Sequence, residues 1–137
     1  NTKGETSIPL IKTLSGEGIK VNVTACFTKR QTWEVAKVLS SPSIISVFAG
    51  RIANTGVDPV PICRTTRRCA SRWTEVLWAS TRELYNIKQA EKGLCDIITI
   101  PNDLLGQMHL LGKDLNDYSL ETILMFKKDA DSSGFTL

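Results

Sequence analysis

The side chains best suited to chemistry are Asn22, Thr24, Ser46, Phe48, Arg51, Ser80 and Arg82. They lie in or just past three apolar runs, Lys20–Phe27, Ile44–Ala49 and Thr74–Ala79, each followed by a small or polar residue. In parallel α/β architectures, binding groups gather at the C-terminal ends of the strands. Two guanidiniums with hydroxyls beside them, at a helix start near Ser80–Arg82, suit a phosphate or another small anion. Arginine brings a fork of donors and first-turn amides add more. The competing reading is that Arg51 and Arg82 face solvent or pair with Asp58 or Glu83. Asn22 and Thr24 supply an amide and a hydroxyl that can hold a water or a substrate hydroxyl, or serve only as hydrogen-bonded strand residues.

None of these groups makes a covalent intermediate of the Schiff-base kind, which needs a lysine amine desolvated in the pocket. Lys3, Lys12, Lys20, Lys29, Lys37, Lys88 and Lys92 all read as helix, loop or strand-start residues. The chain has one histidine, His109, which reads as a half-buried helix residue. Glu83, Asp96 and Asp103 lack the spacing of a metal-ligand set, and no CxxC is present, so a metal site has no support. Gly50 and Gly56 belong to no GxGxxG, and no GxxxxGK[ST] occurs, which leaves nucleotide binding unsupported.

Composition narrows the partners. The 137 residues suffice for one core, with 42% hydrophobic and 23% charged residues. A net charge of +3 is what ordinary solubility needs and does not argue for nucleic acid. Arg64, Arg67, Arg68 and Arg72 read as a solvated face or a subunit contact, and Trp33, Trp73 and Trp78 show no basic–aromatic interleaving. No apolar stretch approaches the roughly 18 residues of a membrane span, and no basic-then-apolar leader opens the chain. Cys26, Cys63, Cys69 and Cys95 are expected to be reduced, in a cytoplasmic protein, with a Cys63–Cys69 disulfide as the alternative.

Positioning falls to elements that alternate in type. Ile8, Ile11 and Leu14 predict a helix beginning near Ser7, with Pro9 in its first turn. Strands are predicted at Lys20–Phe27, Ile44–Ala49, Thr74–Ala79 and Cys95–Ile100. Between them come a helix over Thr28–Leu39, a loop or irregular helix entry over Asn54–Pro61, a short helix over Ile62–Arg72 with Ile62, Cys69 and Trp73 on one face, and a helix over Arg82–Lys92. Thr28 with Gln31, and Ser80 with Glu83, have capping-box spacing. After the last strand, a short helix over Pro101–Leu111 buries Leu104, Leu105, Met108 and Leu111. A polar connection over Gly112–Tyr118 then leads to a helix over Ser119–Ala130, with Leu120, Ile123, Phe126 and Ala130 toward a core. The fold class is α/β, with parallel strands and right-handed crossovers. Periodicity alone leaves a small open sandwich and half of an eight-stranded barrel equally available.

The blocks GIKVNVTACFTKRQ (Gly18–Gln31), SVFAGRI (Ser46–Ile52) and WASTRELYNIKQAEKGLCDIIT (Trp78–Thr99) resemble the transaldolase family, the last two being close to its compact, short-chain branch. DLLGQMHLLGKDLNDYSLETILMFKKDA (Asp103–Ala130) is similar to the family's C-terminal helices. The resemblance implies a (β/α)8 TIM barrel and a class I aldolase chemistry, in which a dihydroxyacetone unit passes between sugar phosphates through a lysine Schiff base, without metal or organic cofactor. By the same resemblance, Asn22 contacts substrate and Thr24 positions the water used in proton transfer. Ser46 and Phe48 shape the donor site, and Arg51, Ser80 and Arg82 bind the phosphate.

The departures matter as much. The family's Schiff-base lysine would fall just upstream of Asn1, and the first four strands have no counterpart. Val47 stands where the family's SPF block has proline, and Ile62–Trp73 is altered from the family's sixth helix. Residues 1–137 are therefore expected to form a single partial domain, the C-terminal half of a barrel, inactive alone. Phosphorylated sugars are the expected ligands, with a homo-oligomer or a complementing barrel half as partner and no role for nucleic acid or membrane. The alternatives are a non-catalytic sugar-phosphate-binding or interaction protein, and a fructose-6-phosphate aldolase-like activity.

Overall fold

Runs rich in Val and Ile, separated by stretches of helical period, fold as alternating strands and helices. The computed structural model describes residues 2–134. Its first unit extends to Leu105 and contains, in order, α1 (Ile8–Gly16), β1 (Asn22–Cys26), α2 (Lys29–Val38), β2 (Ser43–Val47), α3 (Ala49–Ala53), α4 (Val60–Cys69), β3 (Thr74–Trp78), α5 (Tyr85–Lys92), β4 (Ile97–Ile98) and α6 (Asn102–Leu105). The four strands make one sheet in the order β1-β2-β3-β4, every neighbouring pair parallel. Each pair is joined by a helical crossover, as parallel strands require. This is a partial (β/α) barrel-like fold, as the family resemblance implies; periodicity alone leaves a small open sandwich equally available.

Pairing between β2 and β3 is in register from Ser43↔Thr74 to Val47↔Trp78. Between β1 and β2 it slips: Val23 meets Ile45, but Cys26 meets Val47. The extra residue lies at Thr24–Ala25, and Ala25 takes a φ of +59°. A bulge of this kind bends the strand and re-aims its side chains.

The core lies between one face of the sheet and the helices. Val47, Val76 and Trp78 pack with Ile52, Ile62, Cys63 and Ala90 in one cluster, and Cys26, Val35 and Ile45 form a second. Ile8 and Ile11 of α1 lie against that second cluster. The capping box expected at Thr28 forms in full: Gln31 N–H donates to Thr28 Oγ1 at 3.1 Å, and Thr28 N–H donates to Gln31 Oε1 at 3.0 Å.

Several sequence expectations are corrected. Ala49 and the residues after it, read as the end and close of a strand, are helical instead, because α3 begins directly at Ala49. Helix α4 starts at Val60, with Asp58 Oδ1 accepting from Val60 N–H at 3.0 Å. Its packed face is Val60, Ile62, Cys63 and Thr66, whereas Cys69 and Trp73 are exposed. Cys63 and Cys69 therefore point to different environments, and all four thiols are free. The Ser80–Glu83 capping box does not form, since Ser80 has a φ of +62° and α5 begins only at Tyr85. Asn86 caps that turn instead. Strand β4 is reduced to Ile97–Ile98, flanked by the bonds Asp96 N–H to Val76 O at 2.8 Å and Thr99 N–H to Trp78 O at 3.1 Å.

The second unit begins at Gly106. It holds a 3-10 turn, Met108–Leu110, and α7 (Leu115–Ser132), so the single short helix expected over Pro101–Leu111 is two pieces divided at a glycine. Met108 and Leu111 are exposed. Helix α7 starts earlier than expected because the Asp114 carboxylate accepts from the Asn116 and Asp117 amides. Leu120, Ile123 and Phe126, expected to face a core, are 57%, 58% and 63% exposed. Among the described residues its own unit contains no other element than the 3-10 turn, too little to cover an apolar face.

Candidate functional site at the strand ends

Asn22 and Ser46 meet across neighbouring strands. The register Asn22↔Ile44 puts Ser46 one pleat further along the same face. There Ser46 Oγ donates to Asn22 Oδ1 at 2.7 Å. Ser46 is buried while Asn22 is exposed, so the amide's NH2 group stays free to meet a ligand with its orientation already fixed by the serine.

Phe48 follows β2. Its N–H donates to Cys26 O at 2.9 Å, which holds the end of β2 to the end of β1. The ring stacks obliquely on Phe27 at 5.7 Å, and the Arg51 guanidinium lies 5.4 Å from the Phe48 centroid on its other partner contact. Thus Phe48 links the aromatic wall at the end of β1 to the arginine of α3.

Arg51 is brought to the β3 end by the residue before it. Gly50 N–H donates to Ala79 O at 3.2 Å, and Ala79 N–H donates to Val47 O at 2.9 Å. A Cβ placed on Gly50 would fall 1.6 Å from Ser80 O and 3.1 Å from Arg82 Cγ. Only glycine permits this approach, and it sets the start of α3 directly against the Ser80–Arg82 loop.

The loop itself is held in an unusual conformation. Ser80 is left-handed at φ +62°, a state costing about 1–3 kcal/mol for a residue other than glycine. Asn86, buried on α5, offsets the cost: its Oδ1 accepts from Arg82 N–H at 2.8 Å and from Glu83 N–H at 3.4 Å, while its NH2 donates to Gln89 Oε1 at 2.8 Å. The first-turn amides expected to serve an anion are thus directed to Asn86. What remains for an anion is the half-buried Ser80 and the exposed guanidiniums of Arg51 and Arg82, which among the described residues form no ion pair with Glu83, Asp58 or any other carboxylate. A cavity of 370 Å³ opens here, lined by Ser80, Thr81, Arg82, Thr99, Ile100 and Pro101.

Thr24 stands apart. Displaced by the bulge, it lines a separate cleft of 470 Å³ with Thr6, Gln31 and Glu34, and makes no hydrogen bond to Asn22 or Ser46. The structure therefore joins Asn22 with Ser46, and Phe48 with Arg51, and sets Gly50 against Ser80 and Arg82. None of the described lysines lies on a strand.

Sequence reasoning missed Gly50 and Asn86. Gly50 read as the residue closing a strand, although its place immediately before Arg51 was a signal. Asn86 sits four residues beyond Arg82, a spacing from which an amide side chain reaches back over a helix start.

Comparison with known proteins places the chain in a family. The family described as Transaldolase/Fructose-6-phosphate aldolase matches residues 3–136. A probable transaldolase of Brucella ovis is 34% identical over 116 residues, covering 82% of this chain and 52% of that protein. The probable transaldolase of Parvibaculum lavamentivorans is 33% identical over 127 residues, covering 90% and 55%. That of Lactiplantibacillus plantarum is 33% identical over 107 residues, covering 76% and 48%. The chain spans about half the length of the curated relatives it matches. By this likeness over nearly its whole length, the chain belongs to the transaldolase/fructose-6-phosphate aldolase family.

Proposed function

We propose that residues 1–137 carry the substrate- and phosphate-holding side of a transaldolase-type site. Arg51, Ser80 and Arg82 hold the phosphate of a phosphorylated sugar. Asn22, oriented by Ser46, contacts the sugar beside the reacting carbon, with Phe48 shaping the donor site, while Thr24, which lines a separate cleft, stays outside this set. The observation that carries the reading is the approach of Gly50 to Ser80 and Arg82, which supports two loops converging on one anion. Two exposed, unpaired guanidiniums cost little to keep in water and gain charge-assisted, bidentate bonds when a phosphate arrives.

In this reading a lysine amine condenses with the ketose carbonyl, releasing water. The imine then lets the carbon–carbon bond break, and the dihydroxyacetone unit passes to an aldose phosphate. The family resemblance implies that this amine lies outside 1–137, in keeping with the lack of a strand lysine among the described residues. The chain by itself accordingly binds sugar phosphate without turning it over. A partner half of the barrel, or assembly with further copies, would complete the site. The free thiols accord with a reducing cytoplasm as its setting.

A chain that binds but does not react is also the behaviour of a non-catalytic sugar-phosphate-binding protein, and the absence of a strand lysine among the described residues favours it for 1–137 taken alone. Borohydride treatment in the presence of fructose 6-phosphate tests this. No reduced adduct is expected; an adduct on any lysine of the chain would refute the assignment of the amine to residues outside it.

A further inference from the structure

Cys63 and Cys95 are distant in sequence and adjacent in the fold. Cys63 lies on α4 and has no exposed surface, packed among Val47, Val76, Trp78 and Ala90. Cys95 lies between α5 and β4, partly buried against the same cluster. Two backbone features bring it there. Leu94 is left-handed at φ +58°, which turns the chain back over α4, and Cys95 N–H donates to Ala90 O at 3.0 Å. Gly93 has no side chain to intervene: a Cβ there would already stand 3.0 Å from Cys63 Cβ. A further tie runs alongside, where Arg64 Nε donates to Lys92 O at 2.7 Å. Interaction with the Cys95 side chain, followed by burial, raises the Cys63 thiol far above the ordinary range.

We propose that Cys63 and Cys95 are a dithiol site that closes to an intramolecular disulfide under hydroperoxide, stapling α4 to the entry of β4. The alternative pairing within α4 lacks this geometry, because Cys69 is exposed and Cys63 is buried. The order of events follows from access. Cys95, the partly exposed thiol, loses its proton and attacks the peroxide, becoming a sulfenic acid as the O–O bond breaks and hydroxide leaves. The Cys63 sulfur, held beside it, then attacks the sulfenic sulfur. The S–S bond forms, the S–O bond breaks, and the departing oxygen takes a proton to leave as water. Both thiols are oxidised, peroxide accepts two electrons, and the second proton neutralises the hydroxide released first.

The site lies at the N-terminal edge of β4, beside Asp96, whose Oδ2 accepts from Val76 N–H at 2.7 Å and Arg67 Nη1 at 2.9 Å. In barrel-like folds that end of the strands serves stability, while ligands meet the opposite end.

The test uses the 137-residue chain, reduced and then exposed to hydrogen peroxide, with peptide mapping under non-reducing conditions. The expected product lacks two hydrogens, joins the Cys63 and Cys95 peptides, leaves Cys69 alkylatable, and melts roughly 5–15 °C higher than the reduced chain. Cys69→Ser should give the same link. Cys95→Ser should give none and leave Cys63 unmodified, a readout that does not require substitution of the buried residue. A Cys63–Cys69 or intermolecular link, or over-oxidation of Cys95 with Cys63 still free, would overturn the proposal. Because none of these readouts involves a sugar phosphate, its success or failure is independent of the functional reading above.

Discussion

The carbonyl of Ser80 occupies the space that any side chain at residue 50 would need: a Cβ on Gly50 would lie 1.6 Å from it. Backbone meets backbone here, so no rotamer change relieves the clash. Gly50→Ala must push α3 away from the β3 end or strain both segments. We expect a loss of about 2–4 kcal/mol in denaturant unfolding. Phosphate affinity should fall in the fraction that remains folded, because Arg51 moves with α3.

Asn86 supplies the acceptor that the Arg82 and Glu83 amides would otherwise lack. Asn86→Ala leaves those donors unpaired near a buried position, a change worth about 1–3 kcal/mol. Amide hydrogen exchange at Arg82 should accelerate sharply in the variant while exchange within β2 and β3 rises only in proportion to global stability. Equal acceleration everywhere would show that Asn86 acts on the core and not on the loop.

Thr81 carries a cost that can be removed. Its Oγ1 is buried and has no hydrogen-bond partner among the described residues. Replacement by the isosteric valine keeps the shape and deletes the unsatisfied group. Thr81→Val should therefore raise stability by about 1 kcal/mol, read as a higher denaturant midpoint at unchanged slope. A lower midpoint would mean that the hydroxyl has a partner after all.

Asp114 sets the pH response of α7. Hydrogen bonds from the Asp117 and then the Asn116 amides hold its carboxyl below the usual carboxylate range. A depressed folded value means the ionised form favours the helix. That support is complete above the ordinary aspartate range and is lost as pH falls through the lowered value. Helical ellipticity should decline on acidification in the native chain, and Asp114→Ala should show the low-pH helicity already at neutral pH. The effect must be read as helix content, because the cap is fully exposed to solvent.

These positions show what the residues disclose by themselves and what they do not. The strand runs were legible because Val and Ile clustered between helical periods, and the Thr28 cap because its partner Gln31 is local. The Ser80 turn was not legible. Its sequence looks like a helix start, and only the contact with Gly50, distant in the chain, explains the left-handed conformation and the late start of α5. The bulge at Ala25 and the kink at Leu94 were hidden for the same reason, since neither residue favours a positive φ. In α7 the apolar spacing was visible but promised a core that its own unit does not contain.

The structure sets the loops that carry Arg51, Ser80 and Arg82 side by side. The central claim is that these residues hold the phosphate of a sugar. The direct measurement is isothermal titration of the 137-residue chain with fructose 6-phosphate and with fructose, repeated for Arg82→Ala and Arg51→Ala. The account predicts saturable binding of the phosphorylated sugar, little or none of the free sugar, and at least a roughly tenfold loss in each arginine variant, as removal of a charge-assisted contact implies. Equal affinity for sugar and sugar phosphate, or arginine variants that bind as the parent does, would contradict it.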